Sequence, residues 1–258
     1  MAWLERWRRE AAGWAGRGLD LLCPPRCACC SVEPPAAARA DDLPAGVFVC
    51  PACTRALADE RPRCPGCGGS GSASDCGHCR RARPAGAGLV VLGGYGDALR
   101  EAVLKAKRPG AEAVAAALGR LLAVRHRETL AGWRCDAVVP VPMHWARRMF
   151  RGTSAAEEIA RQLAADLRLP CRRWLRRTRP TRMQNELPFE ERRGNVRGAF
   201  RGRRGPAGRR VLLVDDVVTS GGTLSACTAA LMAAGAAAVY AAAAARAERS
   251  ADARDEDA

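Results

Sequence analysis

Val211-Leu212-Leu213-Val214-Asp215-Asp216-Val217-Val218-Thr219-Ser220-Gly221-Gly222-Thr223-Leu224 sets the architecture. Four apolar residues in a row read as a strand buried on both faces, the signature of a parallel sheet. The strand delivers two adjacent carboxylates, Asp215 and Asp216, to its carboxyl end, where ligands of open α/β sheets sit. A turn of hydroxyls and glycines, Thr219 to Thr223, follows and opens a helix. Gly221 and Gly222 let backbone N–H groups approach an anion closely, and the helix N-terminus adds partial positive charge. Thr219, Ser220 and Thr223 add hydroxyl donors. The turn lacks the Lys of a Walker loop. Acids beside a phosphate cradle suit a ligand with a phosphate at one end and a diol nearby, such as a ribose 5-phosphate.

The same α/β texture recurs upstream and downstream. Leu89–Leu92 is a short apolar run, and residues 98–107 and 111–127 carry helical patterning. Asp136–Val141 reads as a strand ending in Pro140 and Pro142. Ser154–Leu167 reads as a helix with Ser154 as N-cap and Glu157 three residues on, a capping-box pattern. Beyond Leu224 the chain has no charge until Arg246, which reads as a buried helix, a stop at Gly235 and a buried strand. Strands alternating with helices give an α/β class with a parallel sheet flanked by helices.

Ten of the 13 Cys fall before residue 80. Eight form C-x-x-C knuckles: Cys27/Cys30, Cys50/Cys53, Cys64/Cys67 and Cys76/Cys79. Two knuckles make one tetrahedral thiolate site, so eight thiols make two four-cysteine sites, with zinc the expected ion. No ligand position is left open for catalysis, so both are structural. Cys29, adjacent to Cys30, could replace it, and Cys23 lies close by; His78 ranks as a bystander because four thiols suffice, and the knuckles are taken to pair sequentially, with an interleaved arrangement the alternative. A redox C-x-x-C would want a strand–helix context that this segment does not show. Cys135, Cys171 and Cys227 lie apart and read as core thiols.

The organisation expected is an N-terminal helix over 1–22, with Trp3, Trp7 and Trp14 on one side, a Cys-rich module over 23–80 and a linker over 81–88. An α/β domain over 89–249 and a disordered acidic tail over 250–258 complete it. The 258 residues, 48% hydrophobic and 27% charged, exclude collagen, a coiled coil and wholesale disorder. The opening stretch has no uninterrupted apolar core and is not a signal peptide; Leu224–Ala245 is too rich in Ala for a membrane span. A reducing cytoplasm is the expected location. Net charge is +15, and residues 146–210 alone carry 19 Arg against 6 Asp or Glu. Such a concentration suits phosphate ligands or single-stranded nucleic acid, and solvated surface Arg accounts for part of it.

The Val211–Leu224 motif resembles the signature by which type I phosphoribosyltransferases bind phosphoribosyl pyrophosphate (PRPP). With the Cys knuckles, Val139–Pro142 (V-P-V-P), Arg151-Gly152 and the Gln184-to-Val196 pattern, the chain from about Cys23 to Arg246 looks like the ComF family. The resemblance implies a double zinc ribbon before a type I phosphoribosyltransferase-like sheet. It implies ribose hydroxyls on Asp215 and Asp216, the 5-phosphate on Thr219, Ser220, Gly221, Gly222 and Thr223, and Mg²⁺ with the pyrophosphate. Lys107, Arg147, Arg148 and Arg151 become candidates to face pyrophosphate. Gln184, Arg192 and Asn195 become candidates in a flexible hood. The family has an aromatic residue and Asn after R-G, where this chain has Thr153-Ser154. By resemblance the role is natural transformation, handling incoming single-stranded DNA with a helicase-like partner. The alternatives are a purine-type salvage phosphoribosyltransferase releasing pyrophosphate from PRPP, and a non-catalytic nucleic-acid adaptor.

Overall fold

Apolar side chains at both parities of Val211–Val214 leave this segment no face for water, and its strand is interior to a four-stranded sheet. The protein is described by a computed structural model covering residues 26–34, 47–72, 76–81, 86–143, 154–179, 196 and 198–247. The spatial order is β1 (Leu89–Gly94), β6 (Ala238–Arg246), β5 (Arg210–Val218), β2 (Ala137–Pro140). Every pairing is parallel, with Leu213 opposite Ala241 on one side and Val139 on the other. All four strands therefore end at the same edge.

Side chains alternate across the strands. Leu213, Val139, Val91 and Ala243 join Leu224, Cys227 and Leu231 of helix α7 (Gly222–Ala233) in one core cluster. That cluster also takes Leu175 and Phe200 from a two-stranded antiparallel ribbon, β3 (Leu175–Arg177) and β4 (Phe200–Gly202). Leu212, Val214 and Val138 are as deeply buried. The other face is covered by α4 (Glu112–Arg125) and α6 (Ala155–Asp166), which pack on each other and on the sheet. The sheet edges are covered too. Pro65 and Asp59 exchange backbone hydrogen bonds with Leu89 and Leu92 of β1 at 2.7 and 2.9 Å, and Pro170 and Arg172 bond Val138 of β2.

The chain divides into two compact units, Met1–Cys53 and Thr54–Ala258, so the second Cys module segment belongs with the sheet. In the first unit a tight turn closes with Ser31 N–H donating to Cys27 O at 2.8 Å, and Ala28 N–H donates to Phe48 O at 2.9 Å. Two short helices, α1 (Pro51–Leu57) and α2 (Gly77–Arg81), each carry the last Cys of a knuckle, Cys53 and Cys79. Among the described residues no helix is long and apolar enough to cross a membrane. The N-terminal helix expected over 1–22 and the tail over 250–258 lie outside the described residues.

Three expectations from the sequence need correction. The helical pattern of 111–127 is broken at His126, where the backbone leaves the helical region (φ −109°, ψ 25°) and a further helix, α5 (Arg127–Gly132), begins. The His126 ring is the reason: its Nε2 lies 2.9 Å from Val91 O of β1. Ser154 stands at the N-cap of α6, yet its hydroxyl makes no capping bond. Glu157, buried at 5% exposure, instead meets Arg173 at 3.4 Å and Arg161 at 3.6 Å, because a buried carboxylate requires cations more than a cap requires an acceptor. Finally, Cys227 is a core thiol but Cys171 is exposed, since its segment pairs with the edge of β2 through the backbone.

Gly119 lies where α4 packs tightly on α6. A Cβ there would lie 2.6 Å from Ile159 O and 3.0 Å from Gln162 Cβ. In a free helix Gly119→Ala would gain about 1 kcal/mol. Here overpacking, costing about 1–3 kcal/mol, decides the sign, and the urea midpoint is expected to fall; a rise would mean that the helices separate freely.

Candidate functional site

The thiols come first, because they hold a segment that has little apolar core of its own. Cys27, Cys30, Cys50 and Cys53 place their sulfurs within 4.8 Å of one another, and so do Cys64, Cys67, Cys76 and Cys79. Knuckle pairing is thus sequential. The Sγ–Sγ distances of 3.6 Å (Cys30–Cys50), 3.7 Å (Cys64–Cys79) and 3.4 Å (Cys67–Cys76) are far beyond a disulfide. They approach the about 3.8 Å that tetrahedral zinc–thiolate bonds of about 2.3 Å require. Cys29 and His78 are outside both clusters, and Cys23 lies outside the described residues.

Electrostatics within the clusters point the same way. Burial acts to raise the pKa of Cys27 and Cys76, but hydrogen bonds outweigh it and bring them to about 6 and about 7: from the N–H groups of Cys50, Cys30 and Cys29 and the Cys30 thiol for Cys27, and from the Cys79 N–H and the Cys67, Cys64 and Cys79 thiols for Cys76. Burial and neighbouring thiols push Cys53 and Cys79 well up. Four sulfurs this close cannot all ionise unless a cation compensates them. Two four-cysteine clusters of this geometry fit zinc, and a double zinc ribbon.

At the strand ends the sheet gathers the second site. Asp215 and Asp216 lie towards the end of β5, and each carboxylate accepts the N–H of the next residue, at 2.9 and 2.7 Å. Lys107, just past α3 (Asp97–Ala106), lies 3.2 Å from Asp216 Oδ2. Burial acts to lower the Lys107 pKa, but the Asp216, Tyr95 and Asp215 charges outweigh it and raise it. Asp215 is 9% exposed, and its carboxyl is pushed up to about 7, first by burial and then by Asp216, against Lys107 and Arg177. The turn that follows has Gly221 at φ 75°, a conformation that side chains resist, and Gly221 is the N-cap of α7. The left-handed residue turns the chain so that the helix N-terminus opens at the end of the strand bearing the acids. Ser220 is buried, whereas Thr219 and Thr223 are half-buried. A diol at the acids and an anion at the turn match these donors and acceptors.

The phosphoribosyl transferase domain family matches residues 110–258. DNA utilization protein YhgH of Escherichia coli K12 is 33% identical over 191 residues, spanning 69% of this chain and 81% of that protein. Competence protein F of Haemophilus influenzae is 29% identical over 162 residues, spanning 60% and 71%. The chain belongs to the ComF family. The phosphoribosyl transferase match takes in β2, β5 and β6 of the parallel sheet, and the ComF resemblance read from the Cys knuckles and the acid-pair loop holds.

Of the remaining residues that the ComF pattern singles out, the fold brings Lys107 to the acids. Arg147, Arg148, Arg151, Gln184, Arg192 and Asn195 lie outside the described residues. Two site residues were not legible in the sequence. Arg177, on β3, adds positive charge near Asp215. Arg246, the last residue of β6 and 4% exposed, donates from its guanidinium to Thr219 O. The only sequence signal for it is a cation ending an apolar run.

Between the unfolded carboxyl's pKa of about 4 and the folded value of about 7, the native state holds a proton at Asp215 that the unfolded chain has released. Stability contributed by this group therefore falls as pH rises through that window. Asp215→Asn should gain in melting temperature relative to wild type between pH 4 and pH 8. An offset equal at both pH values would contradict the burial of this charge.

Proposed function

We propose that the chain binds PRPP with Mg²⁺ and serves in the handling of single-stranded DNA. The observation that carries the first half is the acid pair placed towards the end of β5, shortly before the left-handed Gly221 that opens α7. Asp215 and Asp216 accept the ribose hydroxyls, with Lys107 offsetting the Asp216 charge. Thr219, Ser220, Gly221, Gly222 and Thr223 receive the 5-phosphate through N–H and hydroxyl donors. The carboxylates are oxygen donors of the kind Mg²⁺ takes. When bound there with the pyrophosphate, the ion would supply charge neutralisation to its oxygens, with Asp215 and Asp216 as the residues that could hold it. Arg147, Arg148 and Arg151 serve the pyrophosphate and Gln184, Arg192 and Asn195 the hood.

The second half rests on the relatives' names and on the β3–β4 ribbon. Arg176 and Arg201 are directly opposite one another and both exposed. Like charges facing each other across strands are unfavourable, and a line of phosphates laid over them removes the penalty. Beside them a cleft of about 290 Å³ is lined by Arg173, Arg176, Arg177 and Arg203. Among the described residues its walls carry four guanidinium groups and no aromatic ring, which suits contact to backbone phosphate. A cytoplasmic location suits thiolate clusters, which persist where disulfides do not form, and a helicase-like partner completes the competence role.

The test is calorimetric titration of PRPP with Mg²⁺ into zinc-replete protein. Wild type is expected to bind and Asp215→Asn and Asp216→Asn to lose binding. Retained affinity in both variants would remove the acid pair from the site. In parallel, Arg176→Gln with Arg201→Gln should lower the slope of log affinity for single-stranded DNA against log salt by about 1.4, about 0.7 for each phosphate no longer neutralised. An unchanged slope would place DNA elsewhere.

A further inference from the structure

The phosphate turn does not stand alone on the sheet. Arg246 is 4% exposed, and a guanidinium that far from water requires partners. Its main chain is fixed on both sides: it lies in register with Val218 of β5 and Gly94 of β1, and its carbonyl accepts from Tyr95 N at 2.7 Å. One guanidinium nitrogen donates to the carbonyl of Thr219, the first residue of the turn. The other lies 3.1 Å from His78 Nε2. Arginine has no acceptor, so His78 Nε2 accepts this bond.

His78 is held by the second thiol cluster. It lies between the ligands Cys76 and Cys79, on the five-residue helix α2 that carries Cys79. Helices of that length do not persist unaided. The local core consists of Cys64, Cys67 and Cys76 with Cys79 against them, so it is made of the ligands themselves. The same segment is seated on the sheet. Leu89 N–H donates to Pro65 O, and a Cβ at Gly68 would lie 3.1 Å from Val91. Cys67, His78, Ser220, Gly221 and Arg246 share the wall of one small cavity of about 20 Å³, enough for about one water.

We propose that Arg246 is a positioning residue that ties the phosphate turn to the second four-cysteine cluster, so that metal there and a ribose phosphate on the turn strengthen each other's binding. The inference rests on the ribose phosphate reading above. Metal fixes Cys76 and Cys79, these fix His78, and His78 with the Thr219 carbonyl fixes both ends of the Arg246 fork. Thr219 then begins the turn in the geometry that aims the following N–H groups outward. The first cluster, Cys27/Cys30/Cys50/Cys53, takes no part in this chain of contacts. Coupling between two ligands is reciprocal. Ribose phosphate on the turn must therefore raise the metal affinity of the second cluster by the same factor by which the metal raises the affinity for ribose phosphate.

The experiment uses the full chain loaded with zinc. His78→Ala is expected to retain two zinc ions per chain and to bind PRPP with Mg²⁺ about tenfold more weakly, a coupling of ordinary size. His78→Gln, whose side-chain oxygen can accept the same bond, should recover most of the affinity. A structural role alone would not produce this rescue. In wild type, saturating PRPP should slow one of two phases of zinc release to a chelator and leave the other unchanged. In His78→Ala, PRPP should slow neither. Wild-type PRPP affinity in both His78 variants, or zinc release indifferent to PRPP in wild type that binds it, would overturn the coupling. Wild type that binds no PRPP would instead overturn the ribose phosphate reading itself, so the two failures are distinguishable.

Discussion

Parallel pairing of β5 with β6 governs everything gathered at the functional edge. Nine residues of each strand run side by side with the same polarity. Whatever follows β5 therefore emerges beside whatever ends β6. The acids, the phosphate turn and the Arg246 side chain meet at one edge for that reason, although Asp215 and Arg246 lie far apart in sequence. An antiparallel β6 would send its terminal cation to the opposite end of the sheet. The unbroken Ala241–Ala245 run serves the same purpose. All five are buried, and their small side chains leave room for layers on both faces of this central strand.

The energetic structure of the site follows from that edge. Asp215 is placed where burial and its neighbour oppose its charge, and Lys107 and Arg177 counter them from two directions. One cation comes from the helix after β1 and the other from the β3–β4 ribbon. A carboxyl poised near neutrality is sensitive to any ligand that brings hydroxyl donors or displaces a cation. Without those cations the buried carboxyl would hold its proton to still higher pH. The thiol cluster spanning Cys64–Cys79 is part of the same assembly, because its segment covers the free edge of β1 and reaches the turn through His78. A metal module and a phosphate cradle that look separate along the chain are neighbours in space.

Legibility in the sequence tracks how local each cause is. Thiol spacing is local, so the four knuckles were readable as two sites. The choice of Cys30 over Cys29 and of sequential over interleaved pairing was not, since it depends on which sulfurs the turns converge. Ser154 shows the limit from the other side: the capping box has the right letters, but Glu157 is claimed by Arg173 from a distant segment. His126 likewise interrupts a run of helical residues because a β1 carbonyl lies within its reach.

Residue order alone was enough for the α/β class, for the strand–turn–helix that carries Asp215 to Thr223, and for the thiol clusters. These rest on short-range periodicity, on left-handed glycine and on ligand spacing, which a chain carries wherever it folds. The company those elements keep came from the tertiary structure. It placed Lys107 against Asp216, Arg177 near Asp215, and Arg246 between Thr219 and His78. Each of these is a charge brought to its partner by strand order and register, and the desolvation that makes such a pairing matter exists only once the sheet is closed over on both faces.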